Sequence, residues 1–435
     1  MGGPDAPEGR RLSAAAPQPL PPGTASTHRI YGRWATVVAG MCALAVAMGI
    51  GRFAFTPLLP MMLHDGVVNL GGASWLATAN YVGYLVGALL CTFQPLIWRR
   101  FPSLPPVNGP WMVKLGLLLT ILLTAGMAIP YSAVWPELRF ASGVASALVF
   151  VYTSGFCLQQ MARLGAPGMG GLIYVGPGAG IVVTGLFASV LVAWGAAAVA
   201  GWLIFAALAV VLTLLIAPVF RLPAAAVPAG AAAPAAAFNA PPIGRLEMPM
   251  LSLAYGLAGF GYIITATFLP VIARQAIPGS PWLDLFWPIF GSGVMIGAVI
   301  ASRVPAGPDN RLLLLGCYVV QAAGIVIGIV SPSAFGFAIG SLLLGLPFTA
   351  ITFFAMQEIR RLKAPASAPS YMGLVTALYG LGQIAGPPLV ALLLSHSATP
   401  GQGFERGLEI AAASLVVGAV MFGLMARLYP PRSTH

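Results

Sequence analysis

Two arginines stand inside long apolar runs of this chain. The stretch AVAMGIGRFAFTPLLPMML, residues 45–63, carries Arg52 with no acidic residue inside it, and Arg139 opens RFASGVASA in a later run. A guanidinium is permanently charged and presents parallel N–H donors that match a carboxylate. An arginine buried in lipid costs at least about 2.5–3.5 kcal/mol, so it is expected to face a partner or a cavity. Snorkelling to the surface is the plain alternative. It would be incomplete for Arg52, because roughly eight residues, or about 12 Å, separate it from the outer end of its run.

The acids sharpen the question. The chain has ten Asp and Glu residues, and none is expected near the middle of a span. Glu137 and Asp284 fall near outer ends, Glu247 and Glu358 near cytoplasmic ends, and the rest in tails or loops. Glu137 lies two residues before Arg139 and is the rival partner for Arg52. It would then close a structural pair or serve as the protonatable coupling group. If it does neither, an anionic or carboxylate-bearing solute supplies the missing charge through a bidentate pair. Tyr262, Thr349, Thr352 and Gln383 are candidate neutral hydrogen-bonding groups for that solute. Asn80, Tyr81 and Tyr84 are further polar groups inside spans that must find partners. For all of these, packing between helices competes with solute contact.

The elements that must position these residues follow from composition. Of 435 residues, 58% are hydrophobic and 7% charged, with a mean hydropathy of +0.90. A water-facing surface needs roughly 25% charged residues, so lipid is the main solvent. Apolar runs long enough to cross about 30 Å of hydrocarbon recur along the chain. They predict twelve helices over 34–62, 73–97, 111–130, 135–161, 169–194, 197–219, 247–272, 282–302, 311–331, 334–358, 371–395 and 407–429. All but four of the 21 Lys and Arg residues fall on one set of connections. Arg274 and Arg406 fall on the other, and Arg52 and Arg139 lie within spans. The positive-inside rule then puts both termini in the cytoplasm of a bacterial inner membrane.

The expected domains are a disordered N-terminal tail (1–33), a six-helix bundle (34–219), an Ala/Pro linker (220–246), a second six-helix bundle (247–429) and a short tail (430–435). The bundles repeat. GIGRFAFTPLLP from Gly49 answers GFGYIITATFLP from Gly259 at an offset of 210, which sets Tyr262 in the slot of Arg52, and QQMARL from Gln159 answers QEIRRL from Gln357. Two six-span repeats joined by a linker are the plan of secondary transporters with a site between the halves. The fold class expected is all-α integral membrane.

MGIGRFAFTPLLPMM in the first span is very similar to the signature opening of the YbfB/YjiJ group of the major facilitator superfamily. YGLGQIAGPPLVALL from Tyr379 resembles the same group. RFASGVASA fits the superfamily's fourth-span pattern of an arginine followed by spaced small residues, here Gly143 and Ala147. The resemblance implies that the first, fourth, seventh and tenth spans line a central cavity, with Arg52 and Arg139 on its walls. It also makes the loop after the second span a cytoplasmic gating loop. LIWRRFPSLPP keeps the arginines Arg99 and Arg100 there without the superfamily's Gly-x-x-x-Asp element, and GPGAG from Gly176 matches the antiporter Gly-Pro motif in part.

Other classes find little support. Lys114 and Lys363 are the only lysines, and neither belongs to a phosphate loop. His28, His64, His396 and His435 are scattered through tails and loops, and the four cysteines have no metal spacing. No cofactor, no metal and no nucleic-acid partner are expected, and an integral membrane enzyme is the distant alternative. The expected function is secondary transport of a small organic solute, anionic by preference, as a proton-coupled monomer. Proton-antiport efflux of a neutral or drug-like metabolite is the alternative.

Overall fold

The computed structural model describes residues 2, 31–101, 103, 107–221, 244–305, 307–363 and 368–430. The expected linker and both tails lie almost wholly outside these residues, so their boundaries belong to the sequence reading alone. Among the described residues, twelve helices are long and apolar enough to cross a membrane. In order they are Arg33–His64, Leu70–Gln94, Gly109–Gly126, Ser132–Arg163, Gly168–Ala193 and Ala198–Ile216, then Glu247–Ala276, Leu283–Arg303, Asn310–Val330, Ala334–Leu362, Ser370–Ser395 and Pro400–Leu428. They are called spans one to twelve below. The end of the bundle that bears Arg33, Arg163, Arg303, Arg361 and Arg427 is its basic face.

Span ends are set by local chemistry. The side chains of Asn69, Asn108, Asp309, Ser333 and Thr399 each cap the helix that follows by accepting a backbone N–H. Thr399 and Pro400 start span twelve seven residues before the expected position. Glu405, Arg406 and Glu409 therefore belong to its first turns, on its exposed side, instead of to a loop. Hydropathy alone hid this start, because a polar first turn looks like a loop unless the Thr-Pro cap signal is read.

Within each half, helices approach through small residues. Gly83 of span two and Gly143 of span four face each other's helix. A methyl group added to Gly83 would meet the Phe140 carbonyl oxygen at 1.9 Å, and one added to Gly143 would meet that of Asn80 at 2.1 Å. Among the described residues, four hydrogen bonds join the two halves. They link Arg52 to Gln383, Thr56 to the Ala266 carbonyl (3.0 Å), Tyr81 to Thr267 (2.8 Å) and Ser189 to the Asp284 carbonyl (3.0 Å). All four lie from mid-depth toward the face opposite the basic one. Thr56 and Ala266 are 210 residues apart, the offset of the internal repeat, so equivalent positions of spans one and seven meet at the seam between the halves.

Candidate functional site

Span one is not a regular helix. Residues Ala45–Phe53 are π-helical, between α-helical stretches on either side. A π segment shifts carbonyls out of the i→i−4 ladder. Pro57, five residues after Arg52, has no N–H to return to its carbonyl. Span four supplies the missing donors. Arg139 Nη1 donates to the Gly51 carbonyl (3.2 Å) and Nη2 to that of Arg52 (3.0 Å). Ser142 Oγ donates to Gly51 (2.6 Å) and Ser146 Oγ to Ala47 (2.7 Å). Asn80 of span two in turn donates to the Arg139 carbonyl (2.9 Å). Arg139, with 2% of its surface exposed, is thus held by backbone oxygens and by the ring of Phe55, 5.0 Å from its guanidinium carbon.

The buttressed π segment presents Arg52 at the seam, 3% exposed. Its Nη2 donates to Gln383 Oε1 at 2.6 Å. Gln383 Nε2 passes the chain to the Tyr262 hydroxyl. The bond therefore runs from span one through span eleven to the residue of span seven that occupies the equivalent repeat position. Rings cover the guanidinium: those of Tyr84, Tyr81 and Phe53 lie with centroids 4.1, 5.1 and 5.4 Å from its central carbon. Such cation–π contacts offset part of the cost of desolvating the charge. Beyond Gln383, Tyr262 stacks on Tyr379 (5.9 Å, 18° between planes) and Tyr379 on Tyr255 (4.6 Å, 29°), and Phe348 meets Tyr262 edge-on at 5.0 Å. Arg52 Nε is buried with no partner.

The expected site residues divide under this geometry. Arg52, Gln383 and Tyr262 form one hydrogen-bonded chain, and Arg139 stands behind Arg52 as its support. Thr352 receives the Tyr255 hydroxyl (2.9 Å), whereas the Thr349 hydroxyl is buried without a partner. Glu137 is not brought to either arginine. It lies exposed in the first turn of span four and makes no ion pair among the described residues. Positions two apart on a helix point to opposite sides, so Glu137 cannot share the inward face of Arg139. Arg99 and Arg100 are exposed in the last turn of the helix of span two, with no ion pair among the described residues.

Sequence reasoning missed a second charged centre at the basic face of the second half. Arg311, fully buried, donates from Nε and Nη2 to Asp309 (2.8–3.2 Å) and from Nη1 to the carbonyls of Met425 and Tyr429 (3.2 and 2.5 Å). It pairs with Glu247 at 3.4 Å and stands 3.7 Å from Glu358. Arg361 closes the network on Glu358 (2.6 Å) and Glu247 (3.6 Å). Burial alone would push the Asp309 carboxyl up, but its hydrogen bonds from Arg311 outweigh that and hold it below its ordinary value. The available signal was the run of acids and arginines at four helix ends of one half, each inconspicuous by itself.

The comparisons with known proteins agree with this architecture. The chain is similar to the "Efflux pump patC" of Aspergillus clavatus, at 28% identity over 163 residues, 36% of this chain and 27% of that protein. It is also similar to the "MFS-type transporter patC" of Penicillium expansum, at 29% identity over 144 residues, 32% of this chain and 24% of that protein. The matches thus span about a quarter of the length of these relatives. Among solved structures, that of the nucleoside transporter NupG (D323A mutant) superposes with a TM-score of 0.67 at 13% identity, covering 89% of this chain and 99% of that one. That likeness concerns the fold. The profile of a family described as "Uncharacterised MFS-type transporter YbfB" matches residues 44–422, nearly the whole membrane region. The chain belongs to the YbfB family of the major facilitator superfamily of transporters.

Proposed function

We propose that this chain is a secondary transporter that moves a small anionic, carboxylate-bearing solute by alternating access, with Arg52 as the solute anchor. The observation that carries the reading is the state of Arg52. It is a buried guanidinium at the seam of the two halves, satisfied at one nitrogen by a neutral amide, with no acid in contact among the described residues. A permanent charge in that position is best neutralised by a solute that both halves touch in turn. Gln383 and Tyr262 then contact the solute from the second half, and Arg139 acts through the backbone that it supports. By the positive-inside rule the basic face is cytoplasmic in a bacterial inner membrane, and the protein works as a monomer. Proton coupling belongs to the same proposal. Its sign is read from solute accumulation under an imposed pH gradient.

A thermal-shift screen of the detergent-purified protein tests the anchor. Carboxylates are expected to raise the Tm of the wild type, and Arg52→Gln is expected to abolish the shift. Neutral or quaternary ammonium compounds that stabilise both proteins alike would overturn the reading. The names of the two patC relatives favour a second reading, efflux of a neutral or drug-like metabolite in exchange for protons. Under that reading the stabilising compounds are neutral and the Arg52→Gln protein retains them.

A further inference from the structure

We infer that the solute is an aryl monocarboxylate: one carboxylate on a flat apolar body, with no amino group and few hydroxyls. The inference rests on Arg52 being the solute anchor and follows from which donors and surfaces around it remain available. The Nε and Nη2 hydrogens of a guanidinium point the same way, side by side, and together donate to both oxygens of a carboxylate. Gln383 offers a single oxygen to Nη2, and Nε is buried with no partner. The pair is half-filled. A carboxylate that displaces the Gln383 oxygen fills both positions, and Gln383 keeps its bond to Tyr262.

The surroundings narrow the class. The rings of Tyr84, Tyr81 and Phe53 crowd the guanidinium carbon at 4.1–5.4 Å, so a solute that reaches Nε and Nη2 comes in among aromatic side chains. Arg139, whose Nε is also buried without a partner, donates from both terminal nitrogens to carbonyls of span one, so a second carboxylate there would have to displace the backbone that carries Arg52. An ammonium group would meet two arginines and, among the described residues, no acid: Glu137 is exposed at the far end of span four, and Glu247 and Glu358 are held by Arg311 and Arg361 at the basic face. Sugar and nucleoside hydroxyls would need several free partners, but those of Tyr81, Tyr255 and Thr56 are already bonded, and of the candidate hydroxyls Thr349 is the one buried without a partner. What the site does offer the body is ring surface, from the half-buried Tyr84 and Tyr379 and from Phe348. Offset or edge-on stacking on such rings favours an aromatic body over a saturated one of the same size.

The test measures affinities of the full-length protein for benzoate, cyclohexanecarboxylate, succinate, glucuronate and phenylalanine, in wild type, Arg52→Gln, Tyr84→Leu and Tyr84→Phe. Size-exclusion profiles establish that each variant is folded. Benzoate is expected to bind tightest, about three- to tenfold ahead of cyclohexanecarboxylate, which is the range that one aromatic contact supplies. Tyr84→Leu should bring that ratio close to one, and Tyr84→Phe should keep it. If succinate, glucuronate or phenylalanine binds best and Arg52→Gln loses it, the aryl class is wrong while the anion anchor stands. If benzoate and cyclohexanecarboxylate bind equally to the wild type, the aromatic part is overturned alone. If no carboxylate binds, or benzoate binds Arg52→Gln as well as wild type, the anchor falls and this inference falls with it.

Discussion

In the first half of the molecule the buried charges are Arg52 and Arg139, both at spans' inner surfaces and neither facing an acid. In the second half they are Arg311, Glu247 and Glu358, gathered at the basic face in one ionic network with the half-buried Asp309. At the repeat position where span one has Arg52, span seven has Tyr262. Where Asp309 caps span nine, the neutral Asn108 caps span three. Two halves built on one plan have thus divided the work of their ionic groups. One keeps charge unneutralised at the seam, where each such group costs at least about 2.5–3.5 kcal/mol. The other spends its acids on joining the ends of spans seven, nine, ten and twelve.

The strongest way to break that division is to remove Arg311. Arg311→Ala leaves Glu247 and Glu358, 3% and 0% exposed, with the half-buried Arg361 as their one remaining shared cation among the described residues. Removing one partner of a buried ionic network costs about 3–5 kcal/mol, because the remaining charges stay desolvated. The expected outcome is a large drop in Tm, or no folded protein, read by size-exclusion thermostability. Arg52→Gln should cost far less, since it deletes a charge that no acid neutralises. Equal losses in the two variants would show that both arginines are structural and that the contrast between the halves is false.

A smaller effect sharpens the role of the first half. Arg139→Met removes the span-four donor to the Arg52 carbonyl and leaves the Gly51 carbonyl with Ser142 alone. The expected loss is about 1–3 kcal/mol of stability. Solute affinity should fall with it, because Arg52 rides on the same π segment, and Arg139→Lys should restore part of each. If Arg139→Met lowers stability but leaves every solute affinity unchanged, the segment does not position Arg52, and the two arginines are independent.

These contrasts were unevenly legible in the sequence. Span count, the repeat and the intramembrane place of Arg52 follow from hydropathy and spacing, and the structure keeps them. The π segment does not follow, because AVAMGIGRF is apolar on every side and one extra residue per turn leaves no mark on its pattern. The partners of Arg139 are backbone carbonyls, which carry no residue signature. Glu137 misled for the opposite reason: its place two residues before Arg139 suggested a partner for Arg52, but two residues along a helix turn it to the exposed side of span four. Gln383 stood out as a polar candidate within a family-like word, but its link to Arg52 and Tyr262 was not legible, because these partners lie 331 and 121 residues away in sequence.

The subtlest prediction exchanges one residue between the halves. Gln160 in the last turns of span four corresponds to Glu358 in span ten, and Arg163 to Arg361. Glu358 receives Arg361 at two nitrogens and lies beside Asn310 and Arg311. Gln160 is half-buried, and Arg163 is exposed. Gln160→Glu therefore builds an i,i+3 pair on a helix surface, a gain of no more than about 0.3–0.5 kcal/mol that salt should erase. Glu358→Gln, the same exchange in reverse, should cost several times as much and resist salt, because it strips a carboxylate from a desolvated network. Thermal unfolding at low and high ionic strength compares the two. Matching magnitudes would mean that the basic face of the first half lacks only one residue of the same network. Unequal ones would mean that the network's strength comes from the burial of Arg311 among four helix ends, which no single exchange can transplant.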